Sequence, residues 1–265
     1  MSLKSRSVGF IGLGRMGKGM ATNLVRSFDL TVFDLRTEPM EELRKLGARR
    51  AHSAGELGSI CDYIVTMLRN TEQTNEVIFG KDGLWAGVKE GATLVISSTI
   101  DQQFVRQVKE KALHRHVGVL DAPVSGGING AKNGTLTIMV GGEEDLFKEC
   151  QPLFKAMGKE LFYMGGSGSG LTAKVVNNAV WYMNMFSLRE GLKLGSAAGV
   201  DPQNLLEVIR VSTGGSTVAQ RWDEYKDNEF QNIEKDISLA MAMAKSAGVK
   251  LPVLGLTSQF QLRDR

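Results

Sequence analysis

The sequence predicts a doubly wound α/β domain with a mainly parallel sheet, followed by an all-helical C-terminal domain. Three observations lead there. From Ser7 to about Met164, short β-rich apolar runs alternate with helical stretches. Most of these runs are apolar along their whole length, as expected of strands covered on both faces. After the run Gly165-Gly166-Ser167-Gly168-Ser169-Gly170 no convincing strand recurs. The expected division is therefore 1–165 for the α/β domain and 166–265 for the helical one, with the glycine-serine run as a hinge. A chain of 265 residues is about twice the usual single-domain length, so two domains fit it.

Val8-Gly9-Phe10-Ile11 is the first expected strand, and a helix over 15–27 follows it. Leu30-Thr31-Val32-Phe33 is the second, leading to a helix over 38–46. Tyr63 to Met67 and Leu94 to Ile96 come next, then a helix over 101–113. Val117 to Leu120 and Leu136 to Val140 complete the expected strands. Beyond the hinge, 171–198 reads as one unusually long helix, and 202–211, 233–247 and 253–262 read as helices. Asp201-Pro202 and Leu251-Pro252 supply start or break signals, because proline fits a first helical turn and disfavours a helical residue before it.

Composition narrows the function classes. Apolar residues make up 42% and charged residues 23%, as in a soluble globular chain. Lys and Arg exceed Asp and Glu by 32 − 29 = 3 and are scattered, so the clustered positive footprint of a nucleic-acid binder is missing. Cys61 and Cys150 lie far apart without a CxxC or a nearby His, which argues against a disulfide framework and a metal site. No apolar run approaches the ~18 residues that span a bilayer. The N-terminus lacks a signal-peptide core, and Met1-Ser2-Leu3 is left out of the fold argument. A cytoplasmic location is expected, with no membrane and no nucleic-acid partner.

The first strand runs into Gly12-Leu13-Gly14-Arg15-Met16-Gly17, and a helix follows. Glycines at this spacing allow a tight turn, a close approach of the backbone to a pyrophosphate, and close helix-sheet packing. The helix N-terminus offers amides to the anion. A glycine-rich turn alone is common, but here the strand, the helix and an acidic residue ~20 positions on occur together, as a Rossmann-type dinucleotide site requires. That residue is Asp34, whose carboxylate can accept both ribose hydroxyls of NAD and repels a 2'-phosphate. Arg36 has three available uses: pairing with the phosphate of NADP, stacking on adenine, or lying in solvent. The sequence thus favours NAD without excluding NADP.

Hydride transfer to or from an alcohol carbon needs a group to exchange the hydroxyl proton. His52, His114 and His116 stand in polar stretches, and none of the four tyrosines has a Lys four residues later. Lys174 is left, early in the long helix among mostly apolar neighbours, and Asn178 and Trp181 share its helical face. The competing use is a snorkelling lysine at a hinge. Asp121-Ala122-Pro123-Val124-Ser125-Gly126-Gly127 adds a strand end followed by a hydroxyl and amides suited to a carboxylate, or else a simple Pro-Gly turn.

Four segments in order resemble the β-hydroxyacid dehydrogenases: FIGLGRMGKGMATNL, DAPVSGGINGAKNGTLTIMVGG, GSGSGLTAKVVNN, and Lys235-Asp236 in EKDISLA. The resemblance covers almost the entire chain. It implies that Lys174 is the catalytic acid/base and that Asn178 binds substrate, while Ser125, Gly126 and Gly127 hold its carboxylate. It also implies cofactor contacts from the Gly12 to Gly17 loop, Leu68, Thr99 and Lys235, with Asp236 as a supporting partner or one half of a surface ion pair. Three departures stand out: Leu68-Arg69 replaces the family's Leu-Pro, Phe230 falls about two residues too close to the Lys-Asp pair, and the chain stops at Gln261-Leu262-Arg263-Asp264-Arg265, short of the usual last helices.

The expected activity is NAD-dependent interconversion of a small β-hydroxyacid and its semialdehyde, of the 3-hydroxyisobutyrate or tartronate semialdehyde type. A non-catalytic dinucleotide sensor and an imine reductase on the same fold are the alternatives. A sensor needs no proton donor, and the resemblance implies that imine reductases lack the lysine. A helix of roughly 28 residues extends ~40 Å, more than a small helical domain covers alone, so a homodimer or homotetramer is expected.

Overall fold

The computed structural model describes residues 6–226 and 232–260, so Met1 to Leu3, Phe230 and Gln261 to Arg265 lie outside the described residues. The chain divides into two compact units, Met1–Lys174 and Val175–Arg265.

The first unit alternates strands and helices: β1 (Val8–Ile11), α1 (Gly17–Leu24), β2 (Leu30–Phe33), α2 (Thr37–Lys45), β3 (Arg49–Arg50), α3 (Ala54–Ile60), β4 (Tyr63–Thr66), α4 (Thr71–Phe79), α5 (Leu84–Gly87), β5 (Thr93–Ile96) and α6 (Gln102–Leu113). It continues with β6 (Gly118–Asp121), β7 (Val124–Ser125), α7 (Gly127–Asn133), β8 (Leu136–Gly141), α8 (Glu144–Met157) and β9 (Gly158–Gly165). One sheet holds them in the order β3-β2-β1-β4-β5-β6-β8-β7, with β9 also on β8. Strands β1 to β6 pair in parallel. The order 3-2-1-4-5-6 reverses between β1 and β4, which opens a crevice beyond the strand ends there. Strand β8 is antiparallel to β6 and β7 and parallel to β9, so the sheet is mainly rather than wholly parallel.

The strands lie in the interior because both faces are apolar. Phe10, Val32, Tyr63, Val65 and Val95 face one core, with Met20 and Leu24 of α1 and Leu153 and Phe154 of α8. Ile11, Ile64, Leu94 and Ile96 face the other, with Leu57 of α3 and Val105 and Val108 of α6. Each such side chain taken from water contributes about 2 kcal/mol, against the entropy of ordering it. Burial pushes the Cys61 thiol up to about 11 and Cys150 up to about 12, so both are inert packing groups.

Helix α9 (Ser169–Ala197) runs across the division between the units. The second unit continues with α10 (Pro202–Val211), α11 (Thr217–Gln220), α12 (Trp222–Tyr225), α13 (Ile233–Ala247) and α14 (Pro252–Phe260). No strand occurs among its described residues. Pro202 opens α10, where Asp201 caps the helix by accepting the Asn204 amide. Its core gathers Val175, Tyr182, Ile233, Ile237, Ala240 and Leu254.

Candidate active site

Each glycine of the first loop has its own geometric reason. Gly12 sits at φ 95, and a Cβ there would lie 2.4 Å from the Met67 carbonyl oxygen, across the β1/β4 crevice. A Cβ on Gly17 would lie 1.9 Å from the Gly12 oxygen. Gly14 differs, since its Cβ would meet nothing within 4 Å. The protein therefore leaves open space against that backbone, where a pyrophosphate needs close approach. Met16, at the N-cap of α1, provides no side-chain cap, whereas Ser53, Asn70 and Asp101 cap α3, α4 and α6. No side chain therefore occupies the first amides of α1, where an anion can bind, although the Lys18 amide donates to the Gly14 oxygen at 3.1 Å. Arg15 is exposed beside them. These residues fit a dinucleotide.

Asp34 follows the end of β2 with its side chain 10% exposed. Its Oδ2 accepts the Leu13 amide at 2.6 Å, and its Oδ1 accepts the Arg36 amide at 2.9 Å and Nε at 3.0 Å. Arg36 also donates to the Leu13 oxygen at 3.1 Å, so it is paired in place rather than lying free in solvent. Burial pushes the Asp34 carboxyl up, but the bonds from Arg36 and Leu13 outweigh it and hold the group below the usual aspartate range. Leu68 and Thr99 are half-buried after β4 and β5. The Leu68 amide donates to Ser98 Oγ at 2.7 Å, a bond that fixes this crossing between strand ends.

Ser125 ends β7, and Gly126 and Gly127 follow at φ 126 and 65, conformations that side chains rarely adopt. A Cβ on Gly127 would meet nothing within 4 Å, so this turn also faces open space. The turn is tied to the nucleotide loop through α1 and α7: Asn23 Nδ2 donates to Ala131 oxygen at 2.8 Å and to Gly19 oxygen at 3.1 Å. Lys174 is the last residue of the same compact unit and is 9% exposed.

Asn178 lies four residues beyond Lys174 on α9, in the second unit. Its Nδ2 donates to Asp236 Oδ2 at 2.9 Å, and Tyr182 donates to the same oxygen at 3.1 Å. An ionised carboxylate only accepts, so the Asn178 amide must turn its nitrogen to Asp236 and its oxygen away. Lys235 Nζ stands 3.3 Å from Asp236 Oδ1. Asp236 is 6% exposed, so its carboxylate meets Lys235 from a buried position and not at the surface. Burial and the neighbouring Asp236 both push the Tyr182 hydroxyl well above the usual tyrosine value.

Two groups escaped the sequence reading. Tyr182 carries no local sign of its carboxylate partner, 54 residues away. Asp121 reads in the sequence only as a strand end, yet it is wholly buried and accepts amides at the start of α9.

Residues 7–165 match the NAD binding domain of 6-phosphogluconate dehydrogenase, and 168–263 match the NAD-binding family of NADP-dependent 3-hydroxyisobutyrate dehydrogenase. A probable mitochondrial 3-hydroxyisobutyrate dehydrogenase of Dictyostelium discoideum is 36% identical, over 93% of this chain and 82% of its own. An NAD-dependent L-serine dehydrogenase of Pseudomonas aeruginosa is 35% identical, over 94% and 88%. The solved 3-hydroxyisobutyrate dehydrogenase of Mycobacterium tuberculosis with L-serine superposes at TM-score 0.86 and 28% identity, covering 98% of this chain and 92% of that one. Solved imine reductases match at 16–18% identity, which shows a common fold and nothing further. The fold is Rossmann-type with a helical C-terminal part, its nucleotide is NAD with NADP not excluded, and the chain belongs to the β-hydroxyacid dehydrogenase family.

Proposed function

We propose that the protein interconverts a small β-hydroxyacid and its semialdehyde, with Lys174 as general acid/base. The observation that carries this is a lysine only 9% exposed, in the same compact unit as the glycine loop and the Ser125-Gly126-Gly127 turn. Residues 1–165 serve as the dinucleotide domain, and 166–265 as the helical domain for substrate and oligomerisation. Gly12 to Gly17, Asp34, Arg36, Leu68, Thr99 and Lys235 hold the dinucleotide, whose nicotinamide exchanges a hydride with the substrate carbon when bound.

Ser125 and the amides of Gly126 and Gly127 bind the substrate carboxylate. Asn178, oriented by Asp236, steers the substrate. In oxidation, Lys174 as the neutral amine takes the hydroxyl proton, and in reduction its ammonium returns a proton to the carbonyl oxygen. A proton and a hydride leave the alcohol together, so charge balances in each direction.

The names of the relatives support the substrate class. L-Serine and 3-hydroxyisobutyrate share a primary β-hydroxyl and a carboxylate and differ at the α-carbon. A homodimer or homotetramer is part of the proposal, supported by the exposed Val176, Val180 and Leu194 on α9. So is a cytoplasmic location, which two free, buried cysteines suit.

Nicotinamide absorbance across a panel of short β-hydroxyacids and semialdehydes tests the proposal. Activity should be confined to members with a free carboxylate. Equal turnover of the corresponding amides would remove the carboxylate role from Ser125 to Gly127.

A further inference from the structure

The first turn of α9, one turn before Lys174, is held by two side chains. From the sheet, Asp121 at the end of β6 accepts the Gly168 amide through Oδ1 at 2.7 Å and the Leu171 amide through Oδ2 at 2.8 Å. Asp121 is 0% exposed. A charge buried this completely is costly, and burial pushes the Asp121 carboxyl up; the amides at the positive end of a 29-residue helix oppose that push. In addition, the Thr172 hydroxyl lies 2.9 Å from Gln102 Oε1, Gln102 being the first residue of α6, and 2.9 Å from the Gly168 oxygen, so its one proton is shared between them.

The local sequence is built for this approach. A Cβ on Gly170 would lie 2.4 Å from the Met139 oxygen, and one on Gly141 would lie 2.6 Å from Asp121 Oδ1. Any residue larger than glycine at either position would push the helix start off the sheet. An ordinary exposed Asp or Ser at the N-cap would stabilise the helix without such an arrangement. Two amides three residues apart, each on its own oxygen of one rigid carboxylate, fix more than the existence of the helix. They fix its rotation and its advance along its own axis. Lys174 follows Leu171 by three residues, so a small rotation at that turn is carried out to the ammonium at the end of a long side chain.

We propose that Asp121, seconded by Gln102, is a positioning residue that sets the place of Lys174 by clamping the first turn of α9. The inference rests on Lys174 being the acid/base.

Asp121→Asn, Thr172→Val and Lys174→Ala are compared, with kcat measured per folded protein. Asp121→Asn keeps the shape but turns a donor toward one of the two amides. Its kcat should fall at least about tenfold, with KM for NAD and affinity for NADH within about twofold of the wild type, because misplacement of a reacting group affects turnover and not dinucleotide binding. Thr172→Val, which loosens the same turn without touching the buried charge, should lower kcat by about threefold under the same condition. A residue that merely stabilised the fold would lower the melting temperature and the folded fraction, and leave kcat per folded enzyme unchanged; that result for Asp121→Asn overturns the clamp. If Asp121→Asn does not fold, Thr172→Val decides in the same way. If Lys174→Ala keeps its turnover, the acid/base assignment falls and the clamp with it. If Lys174→Ala is inactive while both other variants turn over as the wild type, the assignment stands and the clamp alone is wrong.

Discussion

The carboxylate of Asp34 accepts the amide of Leu13 at 2.6 Å, so the residue expected to read the ribose also holds the phosphate loop. Replacing it should therefore do two things at once. Asp34→Ser should lower kcat/KM with NAD by at least about tenfold and narrow the preference over NADP, since a ribose partner and a repelling charge are both lost. It should also weaken both dinucleotides, because the loop loses its tie. Steady-state kinetics with each cofactor checks this; an unchanged NAD to NADP ratio would contradict the role of Asp34.

The same carboxylate gives a pH dependence. Its folded value is depressed below the ordinary 3.8, so its contribution to stability is present above that value and is lost as pH falls through the folded one. The partner Arg36 is 59% exposed, so solvent screening keeps the contribution small. The melting temperatures of the wild type and Asp34→Asn should differ at pH 6, and the difference should shrink as pH falls below 3.8. A difference that widens toward acid would reverse the sign and refute it.

Gly14 and Gly17 should separate binding from folding. Gly17→Ala places a Cβ 1.9 Å from the Gly12 oxygen and should cost on the order of 1–3 kcal/mol of stability. Gly14→Ala meets nothing within 4 Å, so its melting temperature should stay near that of the wild type while NADH affinity falls. Thermal melts with and without NADH distinguish the two. A Gly14→Ala protein with normal NADH affinity would mean that the pyrophosphate lies elsewhere.

Asp236→Asn should leave both the fold and the KM for the hydroxyacid near those of the wild type, since its oxygen can still accept from Tyr182 and from Asn178. Asp236→Ala leaves the Asn178 amide and a buried tyrosine hydroxyl without their acceptor, and should raise the KM for the hydroxyacid by about tenfold and lose about 1–3 kcal/mol of stability. Substrate titrations paired with melts test both. An unchanged substrate KM in Asp236→Ala would show that Asn178 does not depend on this carboxylate.

The glycine loop was legible because its backbone accepts only glycine at Gly12 and Gly17, which writes the requirement into local sequence. Helix α10 was legible for a similar reason, Asp201 and Pro202 being a cap and a first-turn residue. Strand β9 carries an apolar run, Leu161-Phe162-Tyr163-Met164, but no alternation or burial marks it as a strand, since Phe162, Tyr163 and Met164 are all exposed. Strand β3 is two residues long and has no pattern to read. The roles of Ser125 and Lys174 came from resemblance to a family, because a hydroxyl in a turn and a lysine on a helix say little alone. The polar contacts were hidden by distance along the chain. Asp121 meets amides 47 and 50 residues on, and Asn178 meets its carboxylate 58 residues on. No local pattern announces a partner so far away.

The division of labour between Lys174 and the glycine loop is tested by Lys174→Ala, measured for turnover and for NADH binding on the same sample. With the proton carried by Lys174 and the dinucleotide by the loop, turnover should fall by at least ~100-fold in both directions while NADH binds as to the wild type. In the wild type, oxidation should speed up with rising pH as the ammonium gives way to the amine, and reduction should slow. A Lys174→Ala enzyme with near-normal turnover and the same pH profile would contradict the assignment and leave Lys174 as a buried structural lysine.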